Sequence, residues 1–221
     1  MADKVFVGAV ALPDRIIENG YVLVADGAAQ RVGEEPSPAG ERQGGAGFLV
    51  LPGAIDGQVH SRSQAGQEDF VWSTRSAASG GVTAIVDMPY DDNDLIASAE
   101  RFRAKAESGR QARVDFALYV TVDPAEGTAR VNELADTGAA AFKFSTFETH
   151  PKRFPRVPPQ TLYAALRAVG RRGLVAGIHN ENDEMVRAFM AEVVHAPELP
   201  RTWNSTPNLA VAVTVQLGGE A

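Results

Sequence analysis

The sequence has no cysteine among its 221 residues, which excludes disulfides, thiolate metal ligands and cysteine nucleophiles. It has no basic stripe: 28 acidic residues outnumber 21 basic ones, so nucleic acid is not an expected partner. No apolar stretch approaches the length of a membrane span, and the opening Met-Ala-Asp-Lys lacks the pattern of a signal peptide. We therefore expect a cytoplasmic protein that binds neither nucleic acid nor membrane.

Short β-rich runs within residues 4–25 predict a small antiparallel β unit at the start of the chain. Residues 33–47 are rich in Gly, Pro and Glu, a composition typical of a loop. This stretch separates the β unit from everything that follows, so we place a domain boundary between residues 47 and 48.

From Phe48 onwards, short apolar strands alternate with helical stretches. The predicted strands are Phe48–Ile55, Val82–Met88, Val114–Thr121, Ala139–Phe144 and Leu174–His179. The predicted helices lie near residues 68–79, 94–108, 126–136, 159–172, 181–194 and 206–217. Such alternation indicates βα units around a parallel sheet. Because a closed barrel needs eight strands, five strands indicate either a doubly wound sheet or the first part of a larger barrel.

Polar residues follow the ends of several of these strands. In LPGAIDGQVHSR, a strand that continues through Arg62 would place Gln58, His60 and Arg62 on one face, although a strand-to-loop transition with scattered polar residues fits equally well. In GGVTAIVDMPY, Asp87 ends a strand. Bonding of its carboxylate to loop N–H groups is the favoured interpretation over direct chemistry.

Two further strands carry a single ionisable residue each. Lys143 interrupts the apolar run AAAFKFS, where a buried ammonium needs a carboxylate partner, a solvent-exposed strand end or chemical modification. His179 ends the strand in IHNEN, where a histidine is either a metal ligand or a hydrogen-bonded structural residue.

Taken as a set, the four motifs LPGAIDGQVHSR, GGVTAIVDMP, AFKF and IHNEN resemble the dihydroorotase, hydantoinase and allantoinase branch of the amidohydrolase superfamily. The resemblance spans essentially the whole chain. It implies that residues 1–47 are a β-sandwich segment and linker. It also implies that residues 48–221 are part of a (β/α)8 TIM-type barrel of a metal-dependent hydrolase.

The resemblance also implies roles for individual residues. His60, His179 and a carbamylated Lys143 would hold one or two divalent ions, with zinc as the expected metal, and Gln58 stands where the family has another histidine ligand. Arg62 would grip a carboxylate or ring carbonyl of the substrate. Tyr90 would be a further substrate-binding residue, at a position where dihydroorotases have asparagine. The family's last histidine ligand and its general-base aspartate match no residue here, so the catalytic base is unassigned.

The expected function is therefore metal-dependent hydrolysis of a small cyclic amide or ureide, as in allantoinases or hydantoinases, by a protein that forms a homo-oligomer in its full-length form. The alternatives are a dihydroorotase-like enzyme and a non-catalytic homologue that serves as a structural partner, which Gln58 and the missing base both favour. The isolated 221-residue chain is expected to be inactive. Metal content distinguishes an enzyme from a scaffold protein.

Overall fold

The computed structural model describes residues 3–63, 66, 69–92 and 94–194. The chain divides into two units, one that ends at Gly53 and one that begins at Ala54. The helix predicted near residues 206–217 lies outside the described residues.

The first unit is a four-stranded sheet with the strand order β3-β2-β1-β4. Its strands are β1 (Lys4–Ala11), β2 (Ile16–Ala25), β3 (Ala28–Glu34) and β4 (Glu41–Val50). Strands β1 and β2 pair antiparallel, as the sequence predicts for residues 4–25. Strand β3, which lies outside that range, pairs antiparallel with β2, and β4 runs parallel to β1. Val5, Val7 and Tyr21 form the buried cluster of this sheet.

The prediction of a loop over residues 33–47 was wrong, because most of this stretch belongs to β3 and β4. The glycines of β4 do not form a turn but let the backbones of β4 and β1 approach closely. Gly44 has a φ of 94°, and a Cβ there would lie 2.3 Å from the carbonyl oxygen of Val7. The strand predicted over Phe48–Ile55 is correspondingly split. Its first residues end β4, and its last residues begin the sheet of the second unit.

Within the described ranges, the second unit contains a five-stranded parallel sheet, a hairpin of two short strands of two residues each, and five α-helices. The strands are β5 (Ala54–Val59), β6 (Val82–Asp87), β7 (Tyr90–Asp91), β8 (Asp94–Leu95), β9 (Asp115–Val120), β10 (Ala141–Ser145) and β11 (Val175–His179). The helices are α1 (Phe70–Ser79), α2 (Ala99–Ser108), α3 (Val131–Ala135), α4 (Pro159–Arg171) and α5 (Asp183–Val194). No helix in the described part of the chain is long and apolar enough to cross a membrane.

The order of the five parallel strands decides between the two predicted architectures. The sheet runs β11-β10-β9-β6-β5, which is strict chain order with no reversal. A doubly wound sheet reverses its strand order at a switch point, whereas a barrel adds each strand beside the one before it. The fold is therefore a curled half of a (β/α)-barrel, and the prediction of a partial barrel is confirmed.

Alternate residues of each strand face the helices. Ile85 of β6 and Leu118 of β9 pack with Phe70 of α1. Phe142 and Phe144 of β10 pack in a larger cluster with residues of α3 and α4. The remaining residues of these strands face the inside of the curled sheet, because side chains alternate along a strand. Helix burial on one face thus leaves the inner face for polar groups.

Candidate functional site

Lys143 lies at the centre of β10, on the inner face of the sheet. Phe142 and Phe144, on either side of it, point into the helix layer, so the lysine must point the other way. Its ammonium has no ion-pair or hydrogen-bond partner among the residues that the structure describes. Partial burial lowers the pKa of this amine. The sequence leaves open a carboxylate partner, a solvent-exposed strand end or chemical modification for Lys143. Among the residues that the structure describes, no carboxylate pairs with it.

Gly177 provides space for the Lys143 side chain. The two residues are direct partners in the parallel ladder of β10 and β11. A Cβ at position 177 would lie 3.3 Å from Cδ and 3.9 Å from Nζ of the lysine. The glycine therefore lets the lysine stem lie flat along the neighbouring strand.

His179 is the last residue of β11 and pairs in register with Ser145. Because Ser145 is two residues after Lys143, His179 and Lys143 lie on the same face of the sheet. Nε2 of His179 lies 3.5 Å from Oε2 of Glu181, so a carboxylate stands beside the imidazole. The backbone of His179 is fixed by Thr146, whose N–H and hydroxyl donate to its carbonyl oxygen at 3.0 and 3.1 Å.

His60 follows β5 and contacts the loop after β6. Its Nδ1 lies 2.9 Å from the Tyr90 hydroxyl, and the two ring centroids are 5.5 Å apart. Partial burial lowers the pKa of His60. The Asp87 carboxylate opposes this shift by raising the pKa, and the cations Lys105, Arg153 and Lys143 lower it further. The lowered pKa favours the neutral form of His60, whose Nε2 has no hydrogen-bond partner within the described ranges.

Of the two alternatives for the segment through Arg62, the structure shows the strand-to-loop transition and not the continued alternation. Strand β5 ends at Val59, its register with β6 slips between Asp56 and Val59, and Arg62 has a φ of 63°. Arg62 instead lies against the loop after β6, with Nε 3.6 Å from Oδ2 of Asp91. Gln58 is exposed on the edge strand, and its side chain makes no hydrogen bond within the described ranges.

Asp87 is the last residue of β6, and its carboxylate bonds a loop N–H group, as the sequence analysis favours. Its Oδ2 accepts a 2.8 Å hydrogen bond from the Ser61 N–H, and its Oδ1 lies 2.7 Å from Nζ of Lys105. Burial raises the pKa of the Asp87 carboxyl, and the Lys105 ammonium opposes that rise. Sequence reasoning missed Lys105. The available signal is its position three residues after Phe102, on the apolar face of α2.

Arg153, in the segment after β10, is a second residue that sequence reasoning missed. Its guanidinium donates to the Ser63 carbonyl oxygen and lies 5.5 Å from the Tyr90 ring centroid. Its Nε is buried without a hydrogen-bond partner in the described part of the chain. The loops after β5, β6 and β10 are therefore joined at the carboxyl edge of the sheet by Arg153, Tyr90 and His60.

The residues at this edge suit a divalent metal in part. They supply two imidazoles and a lysine without a described partner, a mixture of donors that fits a metal only if the lysine becomes anionic. No group of three or more histidines, aspartates or glutamates with metal-binding geometry occurs among the described residues. The described residues of this edge therefore offer nitrogen donors but do not form a complete ligand set.

The curled sheet and its polar carboxyl edge define the class: a (β/α)-barrel protein with its site at the strand ends. Comparison with known proteins agrees. The allantoinase of Rubrobacter xylanophilus is 34% identical over 197 residues, which cover 83% of this chain and 43% of that protein. The allantoinase of Deinococcus radiodurans is 30% identical over 168 residues, or 75% and 37% of the two chains.

A solved structure extends the comparison to the fold. The L-hydantoinase (dihydropyrimidinase) from Arthrobacter aurescens matches 99% of this chain and 50% of its own with a TM-score of 0.83, at 24% sequence identity. No family model matches the chain. The chain spans less than half the length of the curated relatives named here. It belongs to the cyclic-amidase branch of the amidohydrolase superfamily, and its partial coverage fits an N-terminal portion of such a protein.

Proposed function

We propose that the protein containing this chain hydrolyses a cyclic amide or ureide with the help of one or two divalent ions, zinc in the first place. The observation that carries the proposal is Lys143, a partly buried ammonium on the inner face with no partner in the described part of the chain. A purely structural lysine would be paired, because an unpaired buried cation is costly. Carbamylation would replace the cation with an anion that a bound divalent ion can neutralise, so modification and metal binding together would remove that cost.

Carbamylation of Lys143 is chemically consistent with its surroundings. Only the neutral amine attacks CO₂. A new N–C bond forms, the nitrogen loses one proton, and a carbamate anion replaces the ammonium. Because partial burial lowers the pKa of Lys143, the neutral fraction of the amine is larger at neutral pH. The product offers two oxygens to hard or borderline cations.

We propose that His60, His179 and the Lys143 carbamate hold the metal, with Gln58 as a weak neutral ligand beside them. A divalent ion held there would polarise the amide carbonyl and activate water for its attack. The amide C–N bond would then break, and the ring nitrogen would leave with a proton that comes from the attacking water. The final histidine ligand and the general base are not assigned to any residue of this chain.

The other residues of the edge would orient the substrate and the ligands. The Tyr90 hydroxyl contacts Nδ1 of His60 and would leave Nε2 free to bind a metal. Arg62 is proposed to contact a ring carbonyl, although Asp91 competes for its guanidinium. Tyr90 also remains a predicted substrate contact through its ring. A cytoplasmic location and homo-oligomer formation remain predictions.

The function is tested on the protein expressed from its complete gene. We expect hydrolysis of allantoin or hydantoin, loss of activity after dialysis against a chelator, and its return with added zinc or manganese. Bound metal, measured by mass spectrometry, should be roughly one to two ions per chain. The His60→Ala variant should lose both metal and activity.

The same assay separates the alternatives. Dihydroorotate opened faster than allantoin and hydantoin would favour the dihydroorotase-like alternative. A folded protein without metal and without turnover of any of the three rings would contradict the enzyme proposal and favour a scaffold protein. Dihydroorotases have asparagine after the DMP motif, whereas this chain has Tyr90. For this reason we rank allantoin and hydantoin above dihydroorotate as substrates.

Tyr90→Phe should weaken metal binding by about 10–100-fold, because the ring stays in place while the hydrogen bond that orients His60 is lost. Competition with a chromophoric chelator measures the change. Tyr163→Phe is the matched control, since Tyr163 is an exposed tyrosine of α4. Equal zinc affinity of Tyr90→Phe and wild type would show that Tyr90 does not orient the ligand.

A further inference from the structure

Lys105 is a fully buried lysine of α2 with four oxygens around its ammonium. Nζ lies 2.7 Å from Oδ1 of Asp87, 2.9 Å from Oδ1 of Asp91, 3.0 Å from the carbonyl oxygen of Met88 and 3.1 Å from that of Tyr90. The three N–H donors of the ammonium are used by Met88, Tyr90 and Asp91. Oδ1 of Asp87 faces the ammonium as an ion pair without a hydrogen bond in the described part of the chain.

All four of these oxygens belong to residues 87–91, the segment that leaves β6 and begins the hairpin. A single side chain thus fixes two carboxylates and two carbonyl groups of one short segment. One buried ammonium contacts this segment at two backbone carbonyls and two side-chain carboxylates. The segment therefore has little freedom to shift relative to α2.

The same segment determines the surroundings of three consecutive residues after β5. The Tyr90 hydroxyl contacts Nδ1 of His60, Asp87 accepts from the Ser61 N–H, and Asp91 pairs with Arg62. No direct contact joins Lys105 to His60 or Arg62 among the described residues. The Lys105 charge acts on His60 through space, but any positioning of these side chains by contact must pass through the segment.

We propose that Lys105 is a positioning residue of the candidate site: it clamps residues 87–91 so that Tyr90 and Asp91 set the orientation of His60 and Arg62. The expected effect on metal binding rests on the proposed function, whereas the contacts of Lys105 do not. A well-packed apolar side chain at position 105 would serve stability as well as or better than a buried ion pair. The lysine is explained by the geometry that it imposes on the segment.

The test uses the double variant Asp87→Asn/Lys105→Met in the protein expressed from its complete gene. It removes both charges of the buried pair together, and the asparagine introduced at position 87 still offers an amide oxygen to the Ser61 N–H. We expect a folded protein by circular dichroism, with Co²⁺ affinity lowered at least ~10-fold and an altered Co²⁺ absorption spectrum. Arg103→Met, which removes an exposed cation from the same helix, is the control and should change neither.

A second measurement does not depend on metal. In the metal-free protein, the ring nitrogens of His60 are followed by long-range ¹H–¹⁵N correlation and assigned with His60→Gln. We expect the Nδ1 signal of the double variant to move towards its position in Tyr90→Phe, where the contact with the Tyr90 hydroxyl is lost, and to stay in Arg103→Met. If wild type binds no Co²⁺ but the Nδ1 signal moves, the proposed function fails and the positioning role stands.

An unchanged Nδ1 signal and an unchanged Co²⁺ spectrum in a folded double variant would overturn the proposal and leave Lys105 a structural residue. If the double variant does not fold, Asp91→Asn takes its place: it weakens the partly exposed arm of the clamp together with the Arg62 pair, so His60 Nδ1 is the readout that reports the clamp. A smaller change of the same kind is then expected, and no change in either measurement would again overturn the proposal.

Discussion

Replacing Lys143 with alanine is expected to remove at least one of the proposed metal ions and to lower hydrolytic activity by more than ~100-fold. The loss of a ligand should exceed the ~10–100-fold effect of losing a residue that only orients one. The variant should fold, because no ion pair or hydrogen bond of Lys143 in the described part of the chain is broken, and its stem lies against Gly177. Metal analysis and a ring-opening assay measure the two effects.

The chemical nature of the modified lysine gives this experiment two further readouts. Wild type grown or incubated with ¹³C-bicarbonate should show a carbamate carbon signal that the variant lacks. Added acetate or propionate should restore part of the activity of Lys143→Ala, because a free carboxylate can occupy the space of the carbamate. Lys152→Ala, at an exposed lysine, is the control. Full metal content in Lys143→Ala would show that Lys143 is not a ligand.

A polypeptide of these 221 residues produced alone is expected to associate in solution and to hydrolyse none of the three rings. The two edge strands of the half-barrel have unpaired outer edges in the described structure, and Ile55 and Val175 there are 71% and 67% exposed. In the first unit, Phe48 and Leu51 are 61% and 60% exposed. Such apolar surfaces drive association.

Light scattering and the ring-opening assay with added zinc or manganese test this expectation. Absence of a positioned general base typically costs ~10²–10⁴-fold in rate, and an incomplete ligand set adds to that loss. The protein expressed from its complete gene is the positive control. A compact monomer of the 221-residue polypeptide with ordinary enzyme turnover would contradict both the half-barrel and the proposed site.

The regular part of the barrel is predictable from the sequence because each βα unit repeats one pattern. Strands β6, β9, β10 and β11 begin and end within about two residues of their predicted limits, since runs of apolar residues on both faces identify covered parallel strands. Strand β4 was missed for the opposite reason. Its glycines are needed for close approach to β1, and nothing in the local pattern distinguishes that use from a turn.

The site is only partly predictable for a similar reason. The position of Lys143 within an apolar strand indicates its unusual surroundings, and the structure places it on the inner face. Helical spacing shows that Lys105 lies on the packed face of α2, but not that residues 87–91 cross over that face. Likewise the spacing of Gln58, His60 and Arg62 cannot reveal the register slip and the positive φ that end the alternation.

The strict chain order of the parallel strands also has a consequence for biosynthesis. Each strand of the parallel sheet after β5 pairs with the parallel strand made just before it, so the sheet can grow in step with translation, one βα unit at a time. The outer edges of β5 and β11 have no strand partner among the described residues, and the edge of β5 is the first of the two to be synthesised. That edge therefore stays open to unwanted strand pairing for the longest time during synthesis.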